Sequence, residues 1–113
     1  MISKELLKEI LGIEILSCKS VRQSSIIRYK FDANGETRDS SINIYELSYL
    51  CKKWAYTKNY LIDSCFNEPR SEVHIHWMSK LNKMTAFSAD SEPQSVFKAC
   101  EWILDSLRRK DDK

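Results

Sequence analysis

The sequence predicts an α+β domain, an antiparallel sheet of about four to six strands with three helices packed on it, in the order α-β-β-(β)-α-β-β-β-α. Apolar residues recur at helical spacing in three separated segments, each opened by a residue suited to capping. Between them lie short runs in which apolar and polar residues alternate, the period of strands. Turn-forming pairs such as Asn34-Gly35 join the runs closely enough for antiparallel neighbours.

The first helix spans Lys4 to Leu11, with Ser3 as its cap and Leu6, Leu7, Ile10 and Leu11 as its apolar face. Gly12 follows where a left-handed residue ends a helix. From Ile13 the period changes to two, through Ile13 and Ile15 and, after a polar interval, Ile27, Tyr29 and Phe31 alternating with Arg28 and Lys30. Asn34-Gly35 suits the two positive φ angles of a tight hairpin. It folds a strand of roughly Ser25 to Asp32 back on Glu36 to Ser41, whose weakly apolar character fits an edge strand or an extended loop.

Asn43, with Glu46 three residues on, has the form of a capping box, and Leu47, Leu50, Cys51 and Trp54 then repeat at helical spacing. This second helix runs to about Lys58, with Asn59 suited to a left-handed exit. Three strands follow as a meander, near Tyr60 to Phe66, Glu72 to Met78 and Met84 to Ala89, joined through Asn67 to Ser71 and Ser79 to Lys83. Ser91-Glu92-Pro93-Gln94 starts the last helix, whose buried stripe is Val96, Ala99, Cys100, Ile103 and Leu107. Arg108-Arg109-Lys110 suits the negative end of its dipole.

A chain of 113 residues, 42% apolar and 30% charged with two glycines and two prolines, has the length of one domain and the composition of an ordered globular one. Eighteen basic against sixteen acidic residues leave a formal charge of +2, too small for a global field to hold nucleic acid or an anionic membrane. Such binding needs a local patch. The first segment lacks a signal peptide's uninterrupted apolar run, and no stretch approaches the roughly 20 apolar residues that span a bilayer. The expectation is a cytoplasmic protein with no membrane association. Cys18, Cys51, Cys65 and Cys100 stand singly, without finger spacing, and read as small buried apolar side chains in a reducing compartment.

Candidate sites are few. His74 and His76 flank Ile75 on one strand, so both imidazoles share a face, as two zinc ligands would. No acid stands at an obvious supporting spacing, and Cys65 on the neighbouring strand is the candidate third ligand, so the pair reads as a solvated strand face with no metal. Nucleophile-elbow glycines are absent, and Gly12 and Gly35 are too far apart for a phosphate-cradling loop. No enzyme activity and no cofactor are expected. On the second helix Tyr45, Tyr49, Lys52, Lys53 and Tyr56 lie opposite the apolar stripe. Rings interleaved with lysines suit a binding face, for protein or for bases, and equally suit packing of the tyrosines on the sheet or on the first helix.

From Ile42 to Lys110 the order α-β-β-β-α resembles a double-stranded-RNA-binding domain. That family starts its final helix with a glycine-rich, lysine-dense phosphate grip, where this chain has Asp90, Ser91, Glu92 and Pro93. An acidic first turn repels phosphate. Ser41-Ile42-Asn43-Ile44-Tyr45, at the start of the middle helix, and Ala89-Asp90-Ser91-Glu92-Pro93 with Val96 to Cys100, at the start of the last, are similar to small phage and prophage proteins of the phage ABA sandwich domain type. The extra strands between Val21 and Ser41 depart from that family. The resemblance implies a phage-like origin and an accessory role with no catalytic residues.

The expected function is therefore a non-enzymatic phage- or mobile-element-type accessory protein that binds a macromolecular partner, a protein in the favoured reading and RNA or DNA in the alternative. Pairing of the Glu36 to Ser41 strand across a two-fold axis would make a homodimer.

Overall fold

The computed structural model describes residues 2–20, 25–67, 70–77 and 84–111. Its elements follow the expected order: α1 (Lys4–Leu11), β1 (Glu14–Ser20), β2 (Ile26–Ala33), β3 (Glu36–Asn43), α2 (Ile44–Thr57), β4 (Tyr60–Asn67), β5 (Arg70–Trp77), β6 (Met84–Ala89) and α3 (Glu92–Asp111). The strands divide into two three-stranded antiparallel sheets, β1-β2-β3 and β4-β5-β6. A helix followed by a meander thus occurs twice, and α3 closes the chain, although no repeat is visible in the sequence.

Local chemistry explains the boundaries. Ser3 Oγ accepts from the Leu6 N–H at 3.1 Å, and Gly12, at φ 68°, returns its N–H to the Lys8 carbonyl at 2.8 Å. Asn34 and Gly35 take φ 54° and 88°, which closes the β2–β3 hairpin. Asn43 Oδ1 accepts from the Tyr45 N–H at 2.8 Å, so the cap of α2 is made one residue earlier than a capping box with Glu46 would place it. Asn59 leaves α2 at φ 70°. Ser41, Ile42 and Asn43 end β3, so α2 proper starts at Ile44. Arg70 and Ser71, expected in a loop, extend β5 because their backbones pair with Asn67 and Phe66. Glu68, Pro69 and the connection from Ser79 to Lys83 lie outside the described residues.

One core joins the elements. Leu6, Leu7, Leu47, Cys51, Val73, Ile75, Val96, Ala99, Cys100 and Ile103 are each fully buried. A leucine or isoleucine moved from water into such a core contributes about 1.5–3 kcal/mol. α3 packs across all three strands of the second sheet and along α2, and α1 packs on β1. Ile15 and Ile27 anchor the inner face of the first sheet, with Tyr29, Phe31 and Ile42 partly buried against the core. Its outer face is exposed from end to end. β3 is an edge strand carrying Glu36, Arg38 and Asp39, charges of the kind that discourage edge-to-edge pairing.

Candidate functional site

The outward side of α2 carries three exposed rings. Tyr45, Tyr49 and Tyr56 are 62%, 60% and 58% exposed, while Leu47, Cys51 and Trp54 on the opposite side are buried. The tyrosines therefore present most of their surface to solvent. Lys53 is exposed with them, and its ammonium lies 5.4 Å from the centroid of the Tyr49 ring. At an exposed site this cation–π contact is worth about 0.5–1 kcal/mol and holds the two side chains as a unit. Lys52 turns away from the group, because its Nζ meets Glu92 Oε1 at 3.2 Å and ties α2 to the first turn of α3.

Beside these rings α1 and α2 leave a groove of about 410 Å3, lined by Ile10, Leu50, Lys53, Trp54, Tyr56 and Thr57. Trp54 is 8% exposed, and its buried indole N–H has no acceptor among the described residues. Such a donor carries an uncompensated desolvation cost of about 1–3 kcal/mol. The Thr57 hydroxyl donates instead to the Trp54 carbonyl, at 2.6 Å.

The two histidines share the outer face of the second sheet, and Val73, Ile75 and Trp77 point to the other face, toward α3. Acids do support them, contrary to expectation. His74 Nε2 lies 2.7 Å from Glu72 Oε1 and His76 Nε2 lies 3.1 Å from Asp63 Oδ2. Glu72 was legible two residues before His74, where strand alternation returns to the same face. Asp63 arrives only through the β4–β5 register, which sets it opposite His74. Each imidazole has its own acid, and among the described residues no group of three or more metal-ligating side chains forms. The Cys65 side chain lies outside the described residues.

Cys18, Cys51 and Cys100 are free thiols. Cys51 and Cys100 are buried as expected, whereas Cys18 is only partly so. Cys100 Sγ donates to the Cys51 carbonyl at 3.6 Å, and its ionisation is pushed far above the ordinary thiol range by its hydrogen bond with Cys51 and by burial. No activated nucleophile arises there.

At the start of α3, Ser91 Oγ accepts from the Gln94 N–H at 3.4 Å and Glu92 supplies an acidic first turn. That acidic first turn opposes phosphate at the start of the final helix. Sequence reading also missed Trp102, which meets Trp77 edge-on at 5.4 Å and Tyr60 at 6.2 Å between centroids. Its place just before Ile103 in the buried stripe was the available signal. That reading also missed Lys19, Arg28 and Lys30, which meet on the outer face of the first sheet. No protein-family model, curated protein or solved structure matches this chain, so its functional reading comes from the residues themselves.

Proposed function

We propose that this is a non-enzymatic accessory protein of the phage or mobile-element type that works in the cytoplasm by binding a protein partner through the outward face of α2. One observation carries the reading: three tyrosines on one helix are 58–62% exposed, and the last of them, Tyr56, lines an apolar groove with Lys53. Tyrosine offers large contact area with few rotors to immobilise, and exposed aromatics are the side chains best able to anchor an interface. The phage-type part rests on the likeness of the segments beginning at Ser41 and Ala89 to phage ABA sandwich proteins.

The partner that fits is a segment laying an apolar side chain between Ile10 and Leu50. Lys53 and the tyrosine hydroxyls form a polar rim that supplies register.

The test is capture from a nuclease-treated bacterial lysate at low and high salt, followed by direct binding of the purified partner to the wild type and to a Tyr49→Ala Lys53→Ala variant. The expected result is salt-tolerant capture that the folded variant loses. Undiminished binding by the variant overturns the assignment of the face, and recovery of nucleic acid alone, at low salt only, favours the RNA or DNA alternative.

A further inference from the structure

The outer face of the first sheet gathers Lys19, Arg28 and Lys30, all exposed. Their meeting depends on the register. Lys19 stands directly across from Arg28, Ser17 across from Lys30, and on the third strand Ser41 and Asp39 continue the two rows. The rows therefore read Lys19-Arg28-Ser41 and Ser17-Lys30-Asp39. Between them runs the row Cys18-Tyr29-Ser40, whose side chains point to the inner face.

These nine residues together line a concavity of about 580 Å3. The two outward rows flank the middle row in that lining. No helix residue and none of the inner-face residues Ile27, Phe31 and Ile42 belongs to the lining, which places the trough on the solvent side of the sheet. Its volume falls within the roughly 300–1,000 Å3 of small-ligand sites.

A bulge creates the arrangement. Counting by twos from the buried Ile15 would put Ser17 and Lys19 on the inner face, under the helices. The register shifts between Ile15 and Ser17, with Leu16 as the extra residue, and the count is reversed beyond it. Cys18 is turned inward and Lys19 outward against Arg28. Bulges re-aim side chains in this way beside functional sites.

The electrostatics are unbalanced. Like charges directly opposed across an antiparallel pair are unfavourable, and among the described residues none of the three cations pairs with an acid. Asp39 faces Lys30 in the register without forming an ion pair. An anion seated between Lys19, Arg28 and Lys30 would turn that repulsion into three attractions, with the Ser17 and Ser41 hydroxyls as further donors.

We propose that this trough is a phosphate site, with Arg28 as the central ligand flanked by Lys19 and Lys30. The guanidinium suits bidentate contact with phosphate oxygens. Asp39, at the wall beyond Lys30, is the acceptor for a hydroxyl or amine carried by the same ligand. A nucleoside monophosphate and a nucleic-acid phosphodiester present this chemistry alike. The site is separate from the α2 face and does not depend on it.

The experiment is an amide chemical-shift titration of the full chain with inorganic phosphate, with adenosine monophosphate and with a short single-stranded DNA oligonucleotide. The expected shifts centre on residues 17–19, 28–30 and 39–41 and saturate. Arg28→Ala should weaken binding about tenfold and reduce the slope of log affinity against log salt by about one. Arg28→Lys, which keeps the charge and loses the fork, should fall between it and the wild type, while Asp39→Asn should not weaken binding of inorganic phosphate. Saturation by the monophosphate and the oligonucleotide supports the site and identifies a free phosphate as sufficient; saturation by the oligonucleotide alone supports it and identifies the nucleic-acid backbone. Shifts that are absent, that centre on α2 or α3, or that persist unchanged in a folded Arg28→Ala Lys30→Ala variant overturn it.

Discussion

Ser3 and Glu101, 98 positions apart, form a two-pronged contact that fastens the beginning of the chain to its last helix: the Ser3 N–H donates to Oε1 at 2.9 Å and its hydroxyl to Oε2 at 3.0 Å. The same hydroxyl accepts from the Leu6 N–H as the α1 cap, so the carboxylate orients the group that starts the helix.

Loss of that carboxylate should cost more than a surface substitution. Hydrogen bonds to a charged acceptor contribute about 1.5–3 kcal/mol, so Glu101→Ala is expected to lower the urea-unfolding free energy by about 1–3 kcal/mol. Ser3→Ala should cost about 1 kcal/mol through the cap alone, with further loss through Glu101. Because the two residues act together, the double variant should lose less than the sum of the singles; strict additivity would show that the contact is not made in solution.

The Cys100 thiol gives stability a dependence on alkaline pH. Its hydrogen bond with Cys51 and its burial raise its ionisation above the reference value of 9.0, so the native state keeps the proton that the unfolded chain releases. Where the unfolded state binds fewer protons, stability falls as pH rises. Stability is therefore unaffected by this group below about pH 8 and declines above about pH 9, by up to about 1.4 kcal/mol per pH unit. Comparing urea unfolding of the wild type and Cys100→Ala from pH 8 to pH 10 checks this. An equal decline in both would remove the thiol from the account.

Thiol labelling follows from the same burial. In a Cys65→Ser background, Cys51 and Cys100 should be unreactive toward an aromatic disulfide reagent until denaturant is added. Cys18, raised chiefly by burial and secondarily by Glu5, should label more slowly than a free thiol and accelerate as pH rises. Mass spectrometry of the labelled protein separates these outcomes.

Gly35 is tested through its backbone. A Cβ there would touch nothing within 4 Å, yet the residue sits at φ 88°. Gly35→Ala should therefore cost about 1–2 kcal/mol from conformational strain alone, whereas Asn34→Gly, at φ 54°, should be nearly neutral. Thermal unfolding distinguishes the two.

The tyrosine face carries function without carrying the fold. Tyr45→Ala and Tyr56→Ala should each change unfolding free energy by no more than about 0.5 kcal/mol, the range of exposed substitutions, and Tyr49→Ala by no more than about 1 kcal/mol because it also loses the Lys53 contact. In contrast Leu47→Ala, on the buried side of the same helix, should cost about 2–5 kcal/mol. Large destabilisation by the tyrosine variants would mean that the rings pack on the protein.

Local rules explain why so many boundaries were legible. Ser3, Gly12, Asn34-Gly35, Asn43 and Asn59 act through φ angles and hydrogen bonds within a few residues, so each could be read where it stands. The alternation through His74, Ile75 and His76 likewise fixed which side chains share a face. By itself the sequence determined the element order, the buried stripes of α2 and α3 and the opposition of tyrosines to core residues along α2. What it did not determine depends on neighbours distant in the chain. The division of six strands into two sheets, the exposure of Tyr45, Tyr49 and Tyr56, the Ser3–Glu101 tie and the Asp63–His76 pair all arise from packing between elements. Lys19 shows the reason most plainly: its face is set by one extra residue at Leu16, and its charged neighbour by the register with β2. Neither is encoded in local periodicity, because register is decided only when two strands meet.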